Sequence, residues 1–572
     1  MRSRSHGRFA AVTWIALIAL ILSTVPAAVA SSAGVTAEEN ATTTEVQILG
    51  LNDFHGAIQP PGGSGGRLGP SGTPSYGGAE YLATHVEALR ATNPNTLFVS
   101  AGDLIGATPL ISALFHDEPT IEAFNLMGLD FNGVGNHEFD EGVDELLRMQ
   151  HGGCHPIDGC QDGDGFAGAS FDFLAANVTY KSNGKPIFAP YAIRHFNGIK
   201  IAIVGMTLEG TPTIVTPAGI QTVNFLDEAE TVNRLVPILK KQNVETIIVL
   251  LHEGGTTSTA GNGAGAGVDR INDCANPGGA IPPIVEAMDD EIDVVITGHT
   301  NWAVNCMIDG KVVTGAASNG RVVTDIDLTI SRATKDVVGV LVNNVPVTRT
   351  VALDPRLTAL IDKYNTLVAP LSNRVVGSAS TDITRTQNAA GESALGDVIA
   401  DAQLAATSPA AFGGAVVAFM NPGGIRDNIL AGEVTYGELF SVQPFNNVMT
   451  VMTCTGAQID ALLEQQFDNP LPGQTRILQV PAGFTYEWSA SAPTGNKVDI
   501  ASIKINGVPI VAGSGYRVAM NNFLATGGDN FSVFTACTDP LGGEIDLDVL
   551  VTYFGANSPV GPGPQNRIIQ IP

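Results

Sequence analysis

The sequence predicts an α/β protein of two domains joined by a linker helix, and three observations carry that prediction. Short apolar runs alternate with amphipathic stretches across residues 45–350. A proline-bounded helical segment, DPRLTALIDKYNTLVAP, follows at 354–370. A second region of strand-like and helical pattern then fills residues 376–572. Alternation of this kind marks layered α/β domains, and 572 residues are too many for one hydrophobic core.

Residues 1–30 read as a secretory signal peptide. Arg2, Arg4 and Arg8 precede the weakly polar to apolar run Ala10–Val25, and Ala28-Val29-Ala30 supplies a small-x-small cleavage pattern. The run falls short of the ~20 residues that span a bilayer. No transmembrane segment is therefore expected after cleavage, and the mature protein is expected outside the cytoplasm, in a periplasm or at a cell surface. Residues 31–44 read as a mobile leader.

Strand-like runs follow at Val46–Leu51, Thr96–Ser100, Ile199–Val204, Thr246–Leu251 and Asp293–Thr297. Between them, Ala79–Ala91, Thr120–Met127 and Asp227–Lys241 place apolar residues at helical spacing. The glycine- and serine-rich stretch 60–77 reads as a surface loop. Gly152–Phe166, with Asp158, Asp162 and Asp164, reads as a loop pinned by Cys154 and Cys160, since its acids fit no full calcium ligand set. Within the linker, residues 351–375, Asp354 is the expected N-cap, Pro355 the first helical residue and Pro370 the stop. Helices are expected near Ala394–Ala406 and Gly456–Gln466 in the second domain.

The charge balance narrows the partners. Twenty-nine basic against 56 acidic residues give a net charge of −27, which repels phosphate backbones and excludes nucleic-acid polymers as general partners. A small phosphorylated ligand stays open, because a bound metal inverts the local field. Six cysteines, without CxxC spacing, suit disulfides in an exported chain. Many pairings are possible; sequential pairing is expected because it keeps each bridge within one predicted domain.

The chemistry lies in motifs that end strand-like runs: Asp53-Phe54-His55, Gly102-Asp103, Gly135-Asn136-His137-Glu138, His252-Glu253 and Gly298-His299-Thr300-Asn301. Ligands of layered α/β folds bind beyond the carboxyl ends of strands. Four of the ten histidines stand at such ends. Carboxylate, imidazole and amide oxygen without thiolate suit Zn²⁺ or Mn²⁺. Two such ions sharing a carboxylate activate water and neutralise phosphate oxygens, and Asp103 is the natural shared group.

This set resembles the metallophosphoesterase family, specifically its secreted 5′-nucleotidase/UDP-sugar hydrolase branch. The resemblance implies a four-layer αββα catalytic domain holding two divalent ions. It implies that Asp53, His55 and Asn301 hold one ion, that Asn136, His252 and His299 hold the other, and that Asp103 bridges. Asn301 stands where relatives often carry histidine or glutamine. His137 and Asp140 would form a catalytic pair facing the scissile phosphate; the plainer reading makes Asp140 the cap of a helix starting near Glu141.

The C-terminal region resembles the same branch's nucleotide-binding domain through ESALGD at 392–397, NPGGIR at 421–426, QPF at 443–445 and FLATGGD at 523–529. The resemblance implies Phe445 and Phe523 around a base, Asn421 at its edge, Asp529 at the ribose hydroxyls and Arg426 at the phosphate. The plainer reading of the two phenylalanines is core packing. An arginine usual before the ESALGD segment is replaced by NAAG at 388–391, with Arg385 nearest. The expected function is an exported dimetal 5′-nucleotidase acting on nucleoside 5′-monophosphates, with UDP-sugars or nucleoside di- and triphosphates as further candidate substrates and domain rotation about 354–370 gating turnover. The rivals are a 2′,3′-cyclic-nucleotide phosphodiesterase on the same scaffold and a catalytically silent surface nucleotide-binding protein.

Overall fold

Two six-stranded mixed sheets form the centre of the first domain in the computed structural model, which describes residues 42–62, 65–69, 73–215, 217–257, 267–445, 447–469 and 473–572. The expected signal peptide, the leader as far as residue 41 and part of the 60–77 loop lie outside the described residues. The leader ends sooner than expected. Thr43 and Thr44 already pair with Ser331 and Ile330 in strand Thr43–Leu51, as suits β-branched residues on a pleated surface.

That strand runs antiparallel to Val322–Ser331 and parallel to Thr96–Ser100, and Phe131–Gly133 and Asp172–Leu174 extend the sheet. In the second sheet Ile199–Thr207, Thr246–His252 and Val294–Thr297 lie side by side and parallel. Every residue of Thr246–His252 is buried, which explains an uninterrupted apolar run rather than alternation. The sheets face each other across one core, with Ile48, Val99 and Phe131 meeting Ile203, Ile248 and Ile296. Helices Ala79–Arg90 and Glu118–Met127 pack over the outer face of the first sheet. Glu228–Lys240 and Ile281–Ala287 cover the second. The result is the αββα layering.

The linker helix spans Pro355–Ser372, and the Asp354 side chain accepts the Arg356 N–H as its cap. Pro370 does not stop it but sits in its last turn. Leu357, Ile361, Tyr364 and Val368 are all buried, one stripe at helical spacing. They pack toward Ala79–Arg90, Leu110–Ala113 and Glu118–Met127 of the first domain and toward Tyr436–Val442 of the second. The linker is therefore a packed element rather than a lone helix. Tyr364 donates its hydroxyl to Glu122 and Asp162, at 3.1 and 3.0 Å, and Lys363 reaches Asp162 and Asp164. The Gly152–Phe166 loop is thus docked on the helix as well as pinned by its disulfide.

The second domain carries a four-stranded sheet ordered Val417–Ala418, Gly515–Asn521, Val448–Thr455 and Thr538–Ile545. A second sheet includes Phe484–Ser489 and Ile568–Ile571. Helices Ala394–Thr407 and Gly456–Glu464 stand where helical spacing places them. Three disulfides, Cys154–Cys160, Cys274–Cys306 and Cys454–Cys537, follow the sequential pairing. Among the described residues, no helix is long and apolar enough to cross a membrane.

Candidate active site

The motif residues gather at the carboxyl ends of adjacent central strands of both sheets. Asp53 and His55 follow Thr43–Leu51, Asp103 follows Thr96–Ser100, and Asn136 follows Phe131–Gly133. His252 ends its strand, while His299 and Asn301 follow Val294–Thr297. The turns are tight. A side chain at Gly135 would stand 2.2 Å from Asp103 Oδ1, and one at Gly102 would stand 2.7 Å from His252 Nδ1. Asp53, His55, Asp103, His299 and Asn301 all have φ between 47° and 66°, a strained region that clusters at functional sites.

Hydrogen bonds fix which atoms remain available. His55 Nδ1 donates to the Gly106 carbonyl at 2.9 Å, and His252 Nδ1 donates to that of Ala101 at 2.7 Å. Both Nε2 atoms then face Asp103 Oδ2, at 3.8 Å from His55 and 3.0 Å from His252. Asp53 Oδ1 lies 3.8 Å from His55 Nε2 and is buried without a hydrogen-bond partner. Asn136 Oδ1 stands 3.1 Å from His252 Nε2 and 2.9 Å from His299 Nδ1. Two groups result, one of Asp53, His55 and Asp103, the other of Asp103, Asn136, His252 and His299. Asn301 is apart: its amide donates to the His299 carbonyl at 3.2 Å.

Electrostatics agree with a site built around positive charge. Burial pushes Asp53 up to about 7 and pushes His55 and His299 down to about 3. Burial opposes ionisation of Asp103 too, yet His252, His137 and His55 hold it well below the usual carboxylate range. Against burial, Asp103 draws His252 up to about 10. An orphaned buried carboxylate oxygen and a shared one, both facing imidazole nitrogens, fit divalent ions.

His137 Nδ1 lies 2.8 Å from Asp140 Oδ2. The following helix starts at Val143 after Gly142 and has no side-chain cap, so Asp140 serves the histidine rather than the helix. Burial opposes it, but Asp140 and Asp103 raise the His137 pKa. A cavity of about 400 Å³ is lined by Asn136, His137, Asp140 and His299 together with Asn421, Arg426, Phe445, Phe523 and Asp529. Phe445 and Phe523 are half-buried on its wall, and Phe523 also packs against the core of the second domain. The Phe445 ring stacks over His137 at 5.9 Å, with the Arg426 guanidinium 5.8 Å from its centre.

Several participants carried no assigned role in the sequence. Glu138 accepts from the Asp103, Leu104 and Gly135 N–H groups at 2.9, 2.9 and 2.6 Å, tying the Asp103 and Asn136 turns together. Asp117 accepts from Gly106 N–H, Thr108 and Ser112, fixing the carbonyl that orients His55. Arg476 lines the cavity. Arg385 donates to the Ile425 carbonyl at 2.8 Å, directly beside Arg426. Glu138 was visible within its motif; Asp117, Arg476 and the place of Arg385 depend on contacts remote in sequence.

Comparison with known proteins agrees with this geometry. The calcineurin-like phosphoesterase family matches residues 46–302, and the 5′-nucleotidase C-terminal domain family matches residues 375–536. The chain is 33% identical over 550 residues to Endonuclease YhcR of Bacillus subtilis, covering 94% of this chain and 42% of that protein. It therefore spans less than half of that relative. It is 31% identical to cell wall protein Lmo0130 of Listeria monocytogenes, covering 91% of this chain and 68% of the other. The structure of a 5′-nucleotidase precursor from Thermus thermophilus superposes with a TM-score of 0.74 at 25% identity, covering 92% of this chain and 99% of that one. Fold and site define a hydrolase of the metallophosphoesterase class. The chain belongs to the 5′-nucleotidase family, which joins a calcineurin-like phosphoesterase domain to a nucleotide-binding 5′-nucleotidase C-terminal domain and implies a dimetal site.

Proposed function

We propose that this chain is an exported 5′-nucleotidase that releases phosphate from nucleoside 5′-monophosphates, with UDP-sugars and nucleoside di- and triphosphates as further substrates. One observation carries the reading: the histidine–aspartate pair and the nucleotide-type residues of the second domain line the same cavity. Asp53, His55 and Asp103 would hold one divalent ion, zinc or manganese, and Asp103, Asn136, His252 and His299 would hold the other; Asn301, whose amide turns to the His299 carbonyl, would join the first set only by turning its side chain. Such ions, when bound, activate water and neutralise phosphate oxygens.

The chain's own groups do the rest. Phe445 and Phe523 hold the base, with Asn421 at its edge. Asp529 accepts from the ribose hydroxyls. Arg426 meets the phosphate with a charge that the cavity wall desolvates. Asp140 would accept a hydrogen bond from His137 Nδ1–H, favouring the imidazolium so that Nε2–H donates its proton to the leaving oxygen. The predicted signal peptide, the three disulfides and the similarity to a cell wall protein support an extracytoplasmic location.

The test is phosphate release from AMP, ATP, UDP-glucose, NAD and 2′,3′-cyclic AMP with added Mn²⁺ or Zn²⁺, repeated with His137→Ala. AMP is expected to be turned over best. Similarity to a protein named an endonuclease favours phosphodiester cleavage as a second reading, so a short single-stranded oligonucleotide belongs in the panel. Absence of phosphate release, together with absence of cyclic-nucleotide and oligonucleotide cleavage followed by chromatography, overturns both readings.

A further inference from the structure

Arg476 Nη1 donates to Asp529 Oδ1 at 2.5 Å, while Asp529 Oδ2 accepts from Asn421 Nδ2 at 2.9 Å. The Asn469 amide holds the Asp529 main-chain carbonyl at 2.9 Å, so two donors fix the carboxylate and a third fixes its backbone. Among the described residues, the bond to Asp529 is the only hydrogen bond of the Arg476 side chain. Its other donors meet no acceptor among the described residues, and the side chain is 25% exposed on the cavity wall.

The cavity has one other arginine, and the two have different partners, though the Arg476 charge also reaches His299. Arg426 lies against Phe445, in the field of Asp140, Asp103 and Asp53. That is the end where phosphate is cleaved. Arg476 sits instead on the group proposed to meet the ribose. A ribose whose 2′- and 3′-oxygens face Asp529 brings any substituent on them beside this guanidinium. A bare carboxylate there repels a phosphoryl group, by several kcal/mol for like charges in such contact. The Arg476 partner neutralises it and offers further N–H groups in a planar fork suited to phosphate oxygens.

We infer that Arg476 forms a subsite for a phosphoryl group on the ribose 2′- or 3′-oxygen, so that the enzyme accepts nucleoside 3′,5′-bisphosphates as well as 5′-monophosphates. The inference rests on the nucleotide reading of the cavity. The bond cleaved is still the 5′-phosphoester; the second phosphate is recognised and not transferred. The competing role for Arg476 is a strut that only holds Asp529.

Adenosine 5′-monophosphate and adenosine 3′,5′-bisphosphate differ only in the group concerned. Steady-state kinetics on the metal-loaded enzyme compare them in wild type, Arg476→Gln and Arg476→Lys. The expected result is a bisphosphate-to-monophosphate KM ratio that rises at least tenfold in the Gln variant, is partly restored by Lys, and leaves the kcat ratio within about threefold. Equal KM increases for both compounds establish the strut and overturn the subsite. So does a wild type that discriminates against the bisphosphate as strongly as Arg476→Gln does. Calorimetric binding of the same pair to the metal-loaded enzyme separates the two readings. Absent turnover defeats the nucleotidase, whereas identical bisphosphate affinity in wild type and Arg476→Gln defeats the subsite.

Discussion

His137 Nδ1 and Asp140 Oδ2 lie 2.8 Å apart, and both side chains line the cavity that receives the second domain's aromatic pair. General acid catalysis contributes roughly 10²–10⁴-fold, so His137→Ala is expected to lower kcat by that order. Asp140→Asn keeps the shape but loses the charge that favours imidazolium, and its kcat falls less. Bound metal, measured by elemental analysis, stays unchanged in both. A His137→Ala enzyme within twofold of wild type removes the pair from the mechanism.

Asp103 is the shared member of two donor groups, while His252 belongs to one. Asp103→Ala is therefore expected to deplete both metal positions, and His252→Ala only one. Metal-to-protein ratios after gel filtration decide this. Equal depletion by the two substitutions contradicts the bridging role.

Phe445→Ala and Phe523→Ala each remove one half-buried ring from the cavity wall. Base stacking is worth roughly 1–3 kcal/mol per aromatic, or about five- to 150-fold in affinity. KM for AMP should rise on that scale with kcat little changed, and KM for p-nitrophenyl phosphate, which carries no nucleobase, should move less.

His116 gives a pH dependence outside the two donor groups, on the wall of the same cavity. Its ring stacks on His155 at 3.7 Å, Nδ1 lies 2.7 Å from Glu141 and Nε2 lies 2.9 Å from Asp158. Burial opposes protonation, but Glu141, Asp158 and the nearby Glu145 raise its pKa to about 9. A pKa raised on folding stabilises fully below the unfolded value of about 6.5 and loses that contribution as pH rises through about 9. The Tm of wild type should fall across this window more steeply than that of His116→Gln. Parallel profiles would falsify the assignment.

Tyr364 is fully buried, and its hydroxyl serves both Glu122 and Asp162. Tyr364→Phe leaves two carboxylates without that donor and should cost about 1–3 kcal/mol. Tyr364→Ala also opens a cavity in the linker packing and should cost about 3–5 kcal/mol. Denaturant midpoints measure both.

The legible part of this protein is what depends on local pattern. Buried parallel strands such as Thr246–His252 show themselves as unbroken apolar runs, and the polar residues after them mark the site because strand ends must abandon that pattern. Sequential disulfide pairing followed from domain locality. The linker helix is legible from its Leu357–Ile361–Tyr364–Val368 stripe, but its continuation through Pro370 and its packing against four helices of the two domains depend on contacts remote in sequence. Arg476 and Asp117 act through partners at the far side of a fold, so no spacing in the chain announces them.

The left-handed backbone at Asp53, His55, Asp103, His299 and Asn301 has a consequence for substitution. Asparagine, aspartate and histidine are the side-chain-bearing residues that best tolerate that conformation, and they are also oxygen and nitrogen donors. Two independent filters, one steric and one chemical, thus admit the same short alphabet at these positions. Lengthening a ligand, as in Asp53→Glu, tests both at once, and exchange for a β-branched residue fails the steric filter before chemistry is reached. Engineered changes of metal preference at this site are better sought in Asn136 and His252, whose φ values lie outside that region.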